Sequence, residues 1–141
     1  MRWAARWLPV LAWMALIFVL SAQPGLRVSD DAAVDAPARA IAHVVTFGTL
    51  GALLFRALLG TLSMTGAALA AFGVATLYGV SDELHQSLVP DRTGQLDDVA
   101  LDAAGAAIGI ALAVAASVAM RRRRARPGDR SPDLAVPRDG R

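Results

Sequence analysis

No cysteine and no lysine occur in this 141-residue chain. The first absence excludes a disulfide framework, cysteine metal sites and a cysteine nucleophile. The second leaves arginine as the source of all fourteen basic side chains, which we read as compositional bias because no function requires arginine at every basic position. Charge is missing too. Residues 7–22, 40–55, 57–81 and 103–120 contain no Asp, Glu or Arg. No redox-cofactor motif and no convincing internal repeat is present.

What remains is apolar. Hydrophobic residues make up 55% of the chain, mean hydropathy is +0.47, and the length suits one domain. A helix needs about 20 residues, within a range of about 17–25, to cross a bilayer. With a few flanking residues, each of the four uncharged blocks reaches that length. A soluble bundle would need polar faces that these blocks do not offer. The expected fold class is therefore all-α: a polytopic membrane protein built as a four-transmembrane-helix bundle. The helices are expected at about residues 5–22, 39–59, 63–85 and 98–120, which makes 1–120 a transmembrane domain. A cleaved leader is the alternative for the first block, but its length and tryptophan content favour a retained span.

The arginines set the expected orientation. Arg2 and Arg6 precede the first block, Arg56 separates the second from the third, and Arg121–Arg124 with Arg126 follow the fourth. Arginine excess in short flanks marks the cytoplasmic side. Both termini are thus expected inside, and the two long connectors outside. The inner segments then carry eleven Arg against three Asp, and the outer ones three Arg against nine acids. Residues 121–141 are read as a disordered, arginine-rich cytoplasmic tail. Its arginines suit a stop-transfer signal meeting anionic headgroups, so the bilayer and not nucleic acid is the expected partner.

The acid collects in one place. The segment DELHQSLVPDRTGQLDDVALD, residues 82–102, holds six carboxylates and a single base, Arg92. Helical spacing puts Tyr78, Asp82 and His85 on one face, with Gln86 beside it and Glu83 about 100° away. Asp98, Asp102, Gly105 and Gly109 fall on one stripe of the fourth helix, where the two glycines allow close approach of a neighbour. Arg39, His43, Phe47 and Gly51 repeat at i+4 in the second. Three helices thus bring polar residues to one depth, the outer interface. An acid on a packing seam at the membrane edge usually faces a partner or a water-filled cavity.

These residues resemble the VanZ-like family of small membrane proteins. The resemblance rests on Asp82-Glu83-x-His85-Gln86, Pro90-x-Arg92 and Asp98-x-x-x-Asp102-x-x-Gly105-x-x-x-Gly109, with Ser21-x-Gln23-Pro24-Gly25 and Arg39-x-x-x-His43-x-x-x-Phe47 upstream. It covers about residues 8–118. Arg39 stands where the family has Lys, Phe47 where it has Tyr, and Asp102 where Asn is expected. The last change adds negative charge and favours cation binding. The resemblance implies a bacterial inner-membrane protein of the cell envelope; the family is named for a member linked to resistance to the glycopeptide teicoplanin.

Two functional readings stand side by side. In one, His43, Asp82, Glu83, Gln86, Arg92, Asp98 and Asp102 bind or shield an envelope component, either lipid-linked or from the cell wall. In the other, the chain is a membrane enzyme performing phosphoryl or acyl chemistry on a lipid-linked envelope substrate. Asp82, Glu83, His85, Arg92 and Asp98 are its candidate catalytic residues. His85 or His43 would be general base or acid, and Arg92 would clamp a phosphate or oxyanion. A divalent cation is the one cofactor the residues suggest, held by Asp82, Glu83, Asp98 and Asp102, since hard cations prefer carboxylate oxygen. A channel or transporter is disfavoured, because polar residues cluster at one end and none sits at mid-depth.

Overall fold

The computed structural model describes residues 2–24, 29–90 and 95–125. Arg92 and the tail from residue 126 onward lie outside the described residues. The described residues form four helices: α1 (Arg2–Ser21), α2 (Ala32–Leu58), α3 (Met64–Gln86) and α4 (Leu96–Ala125). No strand occurs among the described residues, and all four helices are long and apolar enough to span a membrane.

The helix ends follow from local chemistry. α2 begins at Ala32 rather than near residue 39, because Asp31 caps it. The Asp31 carboxylate accepts the Ala33 N–H at 2.9 Å, and Asp35 adds negative charge in the first turn, where the helix dipole favours it. The turn or two before Arg39 therefore extends the helix by roughly 10 Å beyond the apolar block. Ser63 caps α3 by accepting the Gly66 N–H at 3.1 Å. α4 runs past Met120 through Arg121–Arg124 to Ala125. Cationic side chains in a last turn complement the carbonyl end of the dipole.

Packing follows small residues. Gly48 and Gly51 of α2 face Gly105, Ala106 and Gly109 of α4 so closely that backbone meets backbone. A Cβ on Gly109 would collide with the Gly48 carbonyl, and one on Gly105 with Val44. Ala67, Ala71 and Ala75 form a wholly buried stripe on α3, continued at i+4 by Gly79. Phe47, Leu50, Leu54 and Phe55 of α2 fill the centre of the bundle. α1 packs on α2 and α3. It is tied by the Trp13 indole N–H to the Thr46 carbonyl at 3.0 Å and by the Tyr78 hydroxyl to the Met14 carbonyl at 2.7 Å. Leu69, Leu77 and Leu112 point outward and are exposed, as lipid-facing residues must be and a soluble core would forbid.

The helices run alternately up and down, so the bundle has two chemically distinct ends. At one, the Arg6 guanidinium lies against Gly60, and Arg121 and Arg124 line a groove with Leu59, Ser117 and Met120. At the other lie the end of α1, the start of α2, the end of α3 and the start of α4.

Candidate functional site

This second end holds six of the bundle's buried polar residues. Ser21, Asp82, Glu83, Gln86, Asp98 and Asp102 are each 0–7% exposed. They sort into two groups on adjacent faces of α3.

The first group joins α3 to α1. Ser21, the last residue of α1, donates its hydroxyl to Oδ2 of Asp82 at 2.7 Å. Gln86, one turn further along α3, donates Nε2 to the same oxygen at 3.0 Å and to the Ser21 Oγ at 3.4 Å. Three mutual contacts among Ser21, Asp82 and Gln86 pin the ends of α1 and α3 together. His85 also faces α1. Its ring stacks on Phe18 with centroids 4.4 Å apart, and its Nε2 is buried without a hydrogen-bond partner.

The second group joins α2, α3 and α4. His43 Nδ1 lies 2.8 Å from Oδ1 of Asp102, and its Nε2 lies 3.8 Å from Oδ2 of Asp98. Arg39, one turn earlier on α2 and about half exposed, reaches the same Asp98 oxygen at 4.0 Å. Glu83 approaches from α3, and its Oε2 accepts the Gln95 backbone N–H at 2.9 Å. That carboxylate thereby satisfies a donor at the start of α4, where the helix dipole favours negative charge. Two oxygens are left over: Glu83 Oε1 and Asp102 Oδ2 are buried and have no hydrogen-bond partner. Asp102 Oδ2 faces Gly79, where a Cβ would come within 3.0 Å of it.

The structure thus divides the residues singled out in the sequence. Tyr78, Asp82 and His85 do share one face, and it is the face toward α1. Glu83, on the adjacent face, meets α4 instead. The cation set expected from carboxylates alone regroups accordingly: Asp82 is turned to Ser21 and Gln86, while His43, Glu83 and Asp102 each offer a donor atom within 4.8 Å of the others. Arg92 lies outside the described residues. Ser21 and Arg39 belong to these groups though neither was singled out as a site residue. The signal for Ser21 was a hydroxyl closing an uncharged run; for Arg39 it was the i+4 spacing to His43. Gln23, by contrast, is exposed and donates back to the Val19 carbonyl of its own helix at 3.1 Å.

A bundle of four membrane-spanning helices with buried acids and a histidine gathered at one end defines a small multi-pass membrane protein. Residues 6–118 match the family model VanZ/LLP1, and the chain belongs to that family. No curated protein and no solved structure matches it.

Proposed function

We propose that the polar end of the bundle is an extracytoplasmic site that binds or shields a component of the bacterial cell envelope. The observation that carries this reading is the gathering of buried carboxylates from α3 and α4 with His43 of α2 at the end opposite Arg6, Arg121 and Arg124. Burying such groups is costly, and a helical bundle that needed only to pack would place leucine there. The positive-inside rule puts the arginine end in the cytoplasm and the acidic end outside a bacterial inner membrane, with both termini cytoplasmic. Residues 1–120 then form the membrane domain and 121–141 a cytoplasmic tail. The ligand classes in keeping with this site are lipid-linked or cell-wall components, and teicoplanin susceptibility is the phenotype to measure.

Two measurements test the reading. A reporter active only outside the cytoplasm, inserted near Gly94, should be active, and one fused after Met120 inactive; the reverse pattern refutes the orientation. Purified protein should then bind envelope lipids or teicoplanin saturably, and Asp98→Ala and Asp82→Ala should weaken that binding while the protein stays in the membrane. Unchanged binding in both variants refutes the site.

A second reading is favoured by one specific contact. Asp102 holds His43 by one ring nitrogen, as an orienting carboxylate holds a general base. The chain would then be a membrane enzyme acting on a lipid-linked envelope substrate by phosphoryl or acyl transfer or hydrolysis. Turnover of envelope lipids by purified protein, lost in His43→Gln, selects this reading; saturable binding without turnover selects the first.

A further inference from the structure

We propose that His43, Glu83 and Asp102 form a binding site for one divalent transition-metal ion, such as Zn²⁺ or Mn²⁺, with Asp98 and Arg39 as its outer shell. The inference deepens the extracytoplasmic reading and rests on it only for the side of the membrane from which the ion enters.

Geometry supplies the first support. Donor atoms of His43, Glu83 and Asp102 all lie within 4.8 Å of one another, on three different helices. His43 Nδ1 and Asp102 Oδ1 are 2.8 Å apart. Neighbouring donors on one ion with bonds of about 2.1 Å stand roughly 3.0–3.4 Å apart. An ion can therefore replace the proton shared by these two atoms with little movement of either side chain. The third donor, from Glu83, lies no more than 4.8 Å from the other two, within reach of a side-chain adjustment.

The second support is independent of the first. Glu83 and Asp102 are 6% and 0% exposed, and each keeps one oxygen with no hydrogen-bond partner. Buried polar atoms are almost always satisfied, and an orphan calls for a ligand or a strain that explains it. Arg39 does not discharge these oxygens: its contact is with Asp98, at 4.0 Å. A divalent cation seated against Asp102 Oδ1 and the free Glu83 Oε1 would give that Glu83 oxygen a partner and offset the charge of the two carboxylates together.

The third support is the surroundings of the histidine. If Nδ1 ligates the ion, the remaining ring proton sits on Nε2, which faces Oδ2 of Asp98 at 3.8 Å. A carboxylate behind a ligating imidazole is the usual outer-shell partner, fixing the tautomer and raising ligand basicity. Arg39 approaches the same Asp98 oxygen at 4.0 Å. The imidazole also decides the class of metal. Magnesium and calcium take oxygen ligands almost exclusively, whereas a mixed nitrogen and carboxylate set suits zinc and its d-block neighbours.

The test uses the full-length protein in detergent micelles, stripped with chelator and then titrated with Zn²⁺ or Mn²⁺. One ion should bind per chain, and pulsed electron paramagnetic resonance of bound Mn²⁺ should show coupling to a histidine nitrogen. His43→Gln and Asp102→Asn should each weaken binding by more than roughly tenfold, and Asp98→Asn by about tenfold. Asp97→Asn removes an exposed carboxylate at the same end and should leave affinity unchanged. Absence of saturable binding by the wild-type protein overturns the proposal. So does Mn²⁺ bound without nitrogen coupling, a result that needs no variant to fold. Loss of affinity in Asp97→Asn equal to that in Asp102→Asn reduces the site to surface charge and also overturns it. No envelope ligand enters these measurements, so their failure leaves the envelope-binding reading standing, and failure of the reporter fusions leaves the metal site standing.

Discussion

Gly79 of α3 leaves just enough room for Asp102 of α4: a Cβ at position 79 would come within 3.0 Å of Oδ2, 3.2 Å of the Asp102 Cβ and 3.3 Å of the Phe47 ring. Neither neighbour has room to retreat. Asp102 is wholly buried and held by His43, and Phe47 is buried at the centre of the bundle. Gly79→Ala should therefore lower stability by about 1–3 kcal/mol, the usual cost of an extra methyl in a packed interior, despite alanine's better helix propensity. Thermal unfolding in detergent checks this; an unchanged or raised midpoint would show that the site yields.

The α2–α4 seam should tolerate even less. A Cβ on Gly109 would overlap the Gly48 backbone carbonyl, whereas one on Gly73 meets nothing within 4 Å. A clash with backbone can be relieved only by moving a whole helix. Gly109→Ala should destabilise the protein by more than Gly79→Ala. Gly73→Ala should be neutral or stabilising by up to about 1 kcal/mol, from helix propensity and the reduced freedom of the unfolded chain. The three melting curves together form the measurement, and an equal loss at positions 73 and 109 would contradict close backbone packing.

Ser21 and Asp82 should couple. Ser21→Ala removes the donor 2.7 Å from Oδ2 but leaves Gln86 bonded to the same oxygen. The carboxylate is only partly stranded. The expected loss for the single variant is about 1 kcal/mol, near the range measured for hydrogen bonds in membrane bundles. Combined with Asp82→Asn in a double-mutant cycle, it should show a coupling above about 0.5 kcal/mol. Additive effects would mean that the two side chains do not meet in the membrane.

Glu83 should matter to α4 specifically. Its Oε2 accepts the Gln95 N–H at 2.9 Å, one residue before the helix starts. Glu83→Ala leaves that donor without its partner, and fraying should begin at Leu96 and Asp97. Hydrogen exchange should quicken at the first turn of α4 while the centre of the helix, near Gly105 to Ile110, stays protected. Uniform quickening along α4 would mean that Glu83 supports the bundle rather than the helix end.

Much of this architecture was legible along the chain, for identifiable reasons. Uncharged runs of sixteen to twenty-five residues admit few solutions other than membrane helices. The i+4 spacing of Gly105 and Gly109 announced a close helix contact. The same spacing placed Tyr78, Asp82 and His85 on one face. What it left open was the partner of each face. The early start of α2 escaped because Asp35 and Pro37 interrupt the apolar run there, while the Asp31 cap starts the helix before them. The partner helix of the Gly105–Gly109 seam escaped as well. Gly48 sits one residue from the Phe47 of the i+4 series, and nothing in α2 alone marks it as the residue that meets α4.

By itself the sequence determined how many helices form, which ends carry arginine and which carry acid, and which side chains share a helical face. Those are local properties: hydropathy over one span, and the 3.6-residue repeat within one helix. Tertiary structure alone decided that Asp82 goes to Ser21 and Gln86 while Glu83, one residue later, goes to α4. It also decided that His43 meets Asp102 across 59 residues of chain. The reason is rotational. The helical repeat fixes the angles between side chains on one helix, but the rotation of each helix against its neighbours is set by backbone fit, here glycine against glycine along the α2–α4 seam. With Gly48 and Gly109 in register, His43 points at Asp98 and Asp102 of α4.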